Sequence, residues 1–489
     1  MKIIFIFLIF IFLAGGYLNV FSQSTKPNIV FIAVDDLRAD LGCYGNFVVK
    51  SPNLDKLGKN GFVFQNHFVN VPTCGASRQC LLTGNRPTSA LFTRNDITEK
   101  IISEKLETKN PESFIHHLKR NGYHTVGIGK ISHSADGYVY AYNEKPSNKR
   151  ELPFSWDELD FDYGKWGTGW NAFFGYANGE SRGSLKKEVK PYEMADVDDT
   201  GYVDGLTCEL AIKKLRGLQE KSEPFFLGVG FFKPHLPFNA PKKYWDLYNR
   251  DSIPLSPNPN VPSNVSLKSL HGSDEVNNGY HLTDEKASLT HRVSDAYARK
   301  LKHGYYSCIS YIDEQIGKIV KEINDLGLEK NTIIVVWGDH GWHLGDQQVW
   351  GKHTIFDNAL KSVLIIKLPG KQVADNVSAI VETVDIYPTL MDLCGVKMPN
   401  KIDGESFAGI LKGEGLAEDQ VAYGYFRKGI SLRTKRYRLS RYFRDEQPNI
   451  ELYDHLADPF ETNNIAQDNP SIVKKLMPLL EKGNTHLYK

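Results

Sequence analysis

The chain has 489 residues, 41% hydrophobic and 24% charged, a balance that suits a globular fold and excludes a disordered or fibrous one. Its formal net charge of +1 gives no overall field to draw it to nucleic acid or a membrane surface, so any attraction for an anionic substrate must be local. The length allows a large α/β domain with a smaller appendage.

Met1 and Lys2 precede an apolar run from Ile3 to Leu13 that is too short to span a bilayer. Small and polar residues follow it, with Val20 and Ser22 suiting the two small positions before a cut. Residues 1–22 therefore read as a signal peptide, which predicts a periplasmic or secreted protein without stable membrane insertion. No cysteine near the cut suggests a lipid anchor.

Four short runs rich in β-branched and aromatic residues come next: Ile29 to Val34, Thr125 to Ile128, Phe225 to Phe232 and Thr332 to Trp337. Such runs suit strands buried on both faces of a parallel sheet. Helices are predicted over Asn53 to Lys59, Ser113 to Asn121, Asp204 to Leu218 and Ser307 to Leu326, two of them ended by Gly122 and Gly327. This alternation predicts a doubly wound, mostly parallel α/β sheet.

Two stretches interrupt the rhythm. The first, from about Tyr140 to Lys190, gathers Trp156, Trp166, Trp170 and Phe173, which suit either loop packing or a platform for sugar rings. The second, from Asp251 to Leu289, is rich in Pro, Asn and Ser and reads as functional loops or surface decoration. Beyond Val377, Ile430 to Arg441, a polar turn with Gln447 and Pro448, and Ile450 to Tyr453 predict an antiparallel hairpin. A last helix from Ser471 to Lys482 would pack on it. Six cysteines (Cys43, Cys74, Cys80, Cys208, Cys308, Cys394) lack zinc-site spacing and leave room for one or two disulfides.

In open parallel sheets, ligands gather beyond the carboxyl ends of the strands. Asp35 and Asp36 follow the first run, Lys130 and His133 the second, Lys233 and His235 the third, and Asp339 and His340 the fourth, with Lys352 and His353 a little beyond. Taken singly, a pair of acids caps a helix, a histidine between prolines is satisfied by backbone carbonyls, and a lysine is a solvated charge. The recurrence at Asp339 shifts the balance. Three carboxylates on one rim repel each other unless a cation sits among them, and oxygen-rich clusters favour a hard cation such as calcium or magnesium. The surrounding lysines and histidines would then hold a multiply charged oxyanion.

The segment Thr73-Cys74-Gly75-Ala76-Ser77-Arg78, followed by Leu82-Thr83-Gly84-Asn85-Arg86-Pro87, resembles the signature of the type I sulfatases of the alkaline phosphatase superfamily. In that family the cysteine of a C-x-A-x-R or C-x-P-x-R motif is oxidised to formylglycine (3-oxoalanine). The resemblance runs from Pro27-Asn28-Ile29-Val30 to Glu451-Leu452-Tyr453-Asp454 and Asp458-Pro459-Phe460-Glu461-Thr462-Asn463. The segments Val34-Asp35-Asp36-Leu37-Arg38, Lys233-Pro234-His235-Leu236-Pro237-Phe238 and Gly338-Asp339-His340-Gly341-Trp342 are similar to the iduronate-2-sulfatase branch, where a histidine stands beside the last metal acid.

The resemblance implies an alkaline-phosphatase-like fold, with an N-terminal catalytic domain over residues 25–376 and a C-terminal α+β subdomain over 377–489 containing an antiparallel sheet. It implies a calcium ion held by Asp35, Asp36, Asp339, His340 and the modified Cys74. Arg78 and Lys130 would orient the formylglycine hydrate, His133 would deprotonate its remaining hydroxyl, and His235 and Lys352 would bind the sulfate and assist the leaving oxygen. Expected partners are a sulfated oligosaccharide or polysaccharide and a formylglycine-generating maturation enzyme. Algal ulvan is the leading substrate, with carrageenan-type galactans and glycosaminoglycans as alternatives. The rival readings are a formylglycine-dependent phosphoester hydrolase and a glycan-binding relative without catalysis.

Overall fold

The computed structural model describes residues 26–102, 112–142, 144–371, 375–414 and 420–488. The signal peptide read at residues 1–22 lies outside them. Eight strands form one sheet in the spatial order Asp375–Glu382, Phe62–Phe68, Leu364–Lys367, Thr332–Gly338, Asn28–Val34, Phe225–Phe231, His124–Gly129 and Glu158–Asp160. All neighbours run parallel except Leu364–Lys367, which is antiparallel to both of its partners. The predicted mostly parallel α/β sheet is thus present, with all four sequence-read strands at its centre.

Strand Asn28–Val34 shows why it lies there: all seven residues are buried, so it must be covered on both sides. Side chains alternate between faces. Val30, Ile32 and Val34 join a core with Leu54 and Leu57 of helix Pro52–Lys59, Ala211 and Leu215 of helix Val203–Gln219, and Ile309 and Ile312 of helix Asp295–Asp325. Ile29, Phe31 and Ala33 face the opposite core, with Leu81 and Leu82 of helix Cys74–Thr83, Leu118 of helix Phe114–Arg120 and Leu390 of helix Ile386–Cys394. Register then sets the rim of the sheet. Val34 lies opposite Gly338 on one side and Phe231 on the other, so three strands end level.

The long helix begins at Asp295, twelve positions before the predicted start at Ser307. Ser294 caps it by accepting from the Tyr297 N–H at 3.2 Å, and the apolar stripe begins in Tyr297, Leu301 and Tyr305, aromatic positions among lysines that conceal the period. The C-terminal sheet is a four-strand antiparallel meander of Ala422–Phe426, Gly429–Arg433, Tyr437–Tyr442 and Ile450–Asp454, packed under helix Pro470–Lys482. The predicted run Ile430 to Arg441 is therefore two strands. Thr434 and Tyr437 close a tight turn between them, the Thr434 N–H donating to the Tyr437 carbonyl at 2.9 Å. Strand Asp375–Glu382 pairs with Phe62–Phe68, so a division after residue 376 falls inside an element of the large sheet. All six cysteines are unpaired thiols. No described helix is long and apolar enough to cross a membrane.

Candidate active site

Because the central strands end level, the residues just beyond them meet. The chain leaves the first strand through Asp36 in the left-handed region (φ 62°), a conformation that costs a non-glycine residue free energy and is typical of functional sites. There the Asp36 N–H donates to Asp339 Oδ1 at 2.9 Å, tying two adjacent strand ends together. Helix Cys74–Thr83 enters the same space with its first residue. Its ten residues are all buried, so Cys74 is held by packing on every side. Arg78, one turn on, sits on the same face as Cys74 and reaches Asp339 Oδ2 at 2.9 Å and Asp35 Oδ1 at 3.7 Å.

Lys130 and Lys352 complete the ring of cations. The Lys130 ammonium lies 2.9 Å from Asp35 Oδ2 and the Lys352 ammonium 2.9 Å from Asp36 Oδ1. Asp35, Asp36, Arg78, Asp339 and His340 have no exposed surface, and Cys74 has 2%. Charges so deeply buried are tolerated only when paired or bound to an ion.

Pairing is incomplete. Among the described residues, Asp35 Oδ1 and Asp36 Oδ2 are buried without a hydrogen-bond donor, and Asp35 Oδ2 has only the Lys130 ammonium beside it. Asp35, Cys74, Asp339 and His340 each offer one ligand atom, all within 4.8 Å of one another. His340 Nδ1 lies 3.0 Å from the Gly341 carbonyl and so carries its proton there, which leaves the Nε2 lone pair facing the cluster, 3.2 Å from Cys74 Sγ. Three carboxylates and one imidazole nitrogen with spare lone pairs fit a hard divalent cation.

Electrostatics divides the acids. Burial pushes the Asp35 carboxyl up, but Lys130, His235 and Arg78 outweigh it and hold Asp35 well below the usual carboxylate range. Burial and the neighbouring Asp35 charge push Asp36 and Asp339 up, against Lys352, His340 and Arg78. Burial and Asp35 push the Cys74 thiol up to about 12, opposite to the shift a thiolate nucleophile needs. Burial and Lys130 hold His133 well below its usual value, so its imidazole is neutral, and its Nδ1 has no hydrogen-bond partner among the described residues.

His235 stands on a loop that Lys233 braces, its ammonium donating to the His235 carbonyl at 3.0 Å and the Pro237 carbonyl at 2.6 Å. The His235 Nδ1 proton is committed to the Leu236 carbonyl at 2.6 Å, so Nε2 faces inward, 3.8 Å from Asp36 Oδ2. All ten residues singled out in the sequence (Asp35, Asp36, Cys74, Arg78, Lys130, His133, His235, Asp339, His340 and Lys352) thus converge on one rim. His133 joins through Trp170, its ring 5.6 Å from the indole.

One charged neighbour was not foreseen. Glu275, on the short helix Asp274–Gly279, approaches His235 Nε2 at 3.0 Å and Lys352 Nζ at 3.5 Å. Burial raises its carboxyl, but Lys352 and His235 overcome that and hold it well below the usual range. It lies in the stretch read only as irregular, where no period or motif marks it. The tryptophan group resolves in favour of packing: Trp156, Trp166, Trp170 and Phe173 are buried, and the Trp166 and Trp170 N–H groups donate to the Tyr176 and Tyr140 carbonyls at 3.0 Å.

Comparison with known proteins agrees with this arrangement. The family model described as "Sulfatase" matches residues 27–396, and one described as "N-sulphoglucosamine sulphohydrolase, C-terminal" matches residues 338–485. Mouse (Mus musculus) iduronate 2-sulfatase is 30% identical over 419 residues, spanning 79% of this chain and 72% of that protein. An ulvan-active sulfatase of Formosa agariphila is 29% identical over 463 residues, spanning 91% and 78%. The fold is shared with a phosphonate monoester hydrolase from Silicibacter pomeroyi, with a TM-score of 0.72 and 22% identity over 94% of this chain and 96% of the other.

Proposed function

The chain belongs to the sulfatase family and is a sulfuric ester hydrolase; from that premise we propose that it desulfates sulfated carbohydrates, with oligosaccharides of ulvan as the leading substrate. The observation that carries the reading is the placement of Cys74 Sγ, sealed at the start of its helix among Asp35, Asp339 and His340 and ringed by Arg78, Lys130, Lys352 and His235. Relatives named for iduronate and for ulvan support an acidic sugar as substrate.

A thiol with its proton held this firmly is a poor nucleophile, which accords with conversion of Cys74 to 3-oxoalanine by a maturation enzyme. A hydrated aldehyde at residue 74 would supply one hydroxyl to attack sulfur and a second to expel sulfate afterwards. A calcium ion held by Asp35, Asp36, Asp339, His340 and residue 74 would polarise the sulfuryl oxygens. The protein's own groups do the rest. Arg78 and Lys130 orient the side chain of residue 74, and neutral His133 takes the proton from its second hydroxyl. His235 and Lys352 grip the sulfate, and the Lys352 ammonium, kept charged by Asp36, is placed to assist the departing sugar oxygen, an effect of about 10²- to 10⁴-fold in rate. Export as a periplasmic or secreted protein, through the segment at residues 1–22, belongs to the same reading.

Two measurements test it together. Protein from its native source should show the Cys74 peptide at the mass of 3-oxoalanine and should release sulfate from sulfated oligosaccharides faster than phosphate from matched phosphate esters. Cys74→Ala should lose turnover, by at least about 10⁴-fold, while keeping its fold. Sulfate release retained by that variant would sink the assignment.

A further inference from the structure

Beside the sulfate-binding groups stands a cation that the reaction above does not use. Arg182 is partly buried, and among the described residues no carboxylate lies within ion-pair distance of it. A half-buried guanidinium gives up hydration without receiving a counter-charge, an arrangement that a ligand anion would complete. Its position is fixed. The guanidinium carbon lies 3.4 Å from the Phe174 ring centre and 5.4 Å from that of Tyr280. The backbone is pinned as well: the Arg182 N–H donates to the Phe174 carbonyl at 3.1 Å, and the Lys187 N–H donates to the Arg182 carbonyl at 2.8 Å.

The aromatic partners link Arg182 to the active site. The Phe174 ring is 6.2 Å from His235 and 5.5 Å from Tyr142, which in turn meets Trp170 edge-on at 4.5 Å. The Tyr142 hydroxyl lies within electrostatic reach of Lys130, Cys74, Arg182 and Glu275, and that of Tyr280 within reach of Arg182, Glu275 and Lys352. Tyr142, 46% exposed, offers an open aromatic surface between the two cationic regions. The nearby acid, Glu275, is already engaged by His235 and Lys352 and leaves Arg182 uncompensated.

We propose that Arg182 receives a second anionic substituent of the substrate, a carboxylate or a second sulfate, while Lys130, Lys352 and His235 hold the ester being cleaved. The proposal rests on the sulfatase reading and narrows it to sugars carrying two anionic groups. Tyr142 supplies the open wall along which the sugar ring between those groups packs, as aromatic faces do for pyranose rings, with buried Phe174 backing the guanidinium. A guanidinium stacked on an aromatic ring keeps its donor edge free for a planar anion.

The test compares three substrates: a uronate monosulfate, a neutral hexose disulfate and a neutral hexose monosulfate. In each, kcat/KM for sulfate release is measured for the wild type, Arg182→Gln and Arg182→Lys. Arg182→Gln should lower the preference for the doubly anionic substrates over the neutral monosulfate by about 10- to 100-fold, the worth of one charge-assisted contact. Arg182→Lys should keep part of that preference. Since the readout is a ratio within one preparation, a partly misfolded variant does not distort it. A selective fall in the uronate arm identifies the carboxylate as the ligand, and one in the disulfate arm identifies the second sulfate. Preferences within twofold of wild type in both arms for Arg182→Gln would overturn the proposal. A wild type that releases no sulfate in any arm would defeat the functional reading itself.

Discussion

Two clusters in this molecule, one buried and one partly exposed, present nearly the same chemistry and differ in how fully their carboxylates are answered. In the first, Asp35, Cys74, Asp339 and His340 bring four ligand atoms together; in the second, Asp357, His455 and Glu461 bring three. In the second, every carboxylate oxygen has a donor. Arg433 Nε donates to both Asp357 oxygens at 3.0 and 3.2 Å, Arg438 pairs with Glu461, and the Asp357 N–H donates to Glu461 Oε2 at 3.0 Å. In the first, Asp35 Oδ1 is left without a donor, as is Asp36 Oδ2 beside it. Carboxylates that are all answered hold a subdomain in place, whereas unanswered ones at the end of a parallel sheet form a receptor. Composition alone would not separate the two, but the inventory of unanswered oxygens does.

The sharpest way to break this comparison is to remove divalent ions. Exhaustive chelation should lower sulfate release by about 10³-fold or more, since charge stabilisation by a bound cation is worth several kcal/mol, and added calcium should restore it. Activity indifferent to chelation would make the first cluster as structural as the second.

The converse experiment targets Glu461. Glu461→Gln leaves Arg438 buried with half a partner, and loss of one member of a buried pair costs about 3–5 kcal/mol. Urea unfolding should show that loss, while turnover per folded molecule stays near wild type. A fall in turnover without a fall in stability would mean the cluster takes part in the chemistry.

The smallest effect separates both clusters from ordinary buried imidazoles. Burial drives His67 to about 3 and His343 to about 4, against roughly 6.5 in an unfolded chain. The unfolded state therefore binds more protons below pH 6.5, so their stabilising contribution is complete above that pH and is lost as pH falls toward 4. Each contributes a slope of about 1.4 kcal/mol per pH unit within that window. Replacing His67 with Gln should flatten the acid limb of a stability-against-pH curve; an unchanged limb would mean the ring is protonated in the folded state.

The centre of the fold and the residues gathered on its rim were legible for one reason. Strands covered on both sides are written as unbroken apolar runs, and whatever follows such a run lies on the rim, so Asp35, Lys130, His235 and Asp339 could be found by position. Strands Phe62–Phe68 and Leu364–Lys367 escaped because Gln65, Asn66 and His67 interrupt one and the other has only four residues. Glu275 and Arg182 escaped for a different reason. They sit on irregular chain whose course is set by distant contacts, such as the Gly175–Ser181 bridge that turns Arg182 back onto Phe174, and no local periodicity encodes such a path. The tryptophans were visible by type, but only packing could tell interior from platform.

The order of strands also bears on synthesis. Asn28–Val34 is among the first segments made, yet its two neighbours in the sheet begin at Phe225 and Thr332. For nearly half of translation this largely apolar ribbon has neither of its proper companions, and nascent chains with an unpaired hydrophobic strand stick to one another. A helper that shields the early ribbon until its late companions arrive would therefore decide the yield of this protein more than any improvement to its finished form.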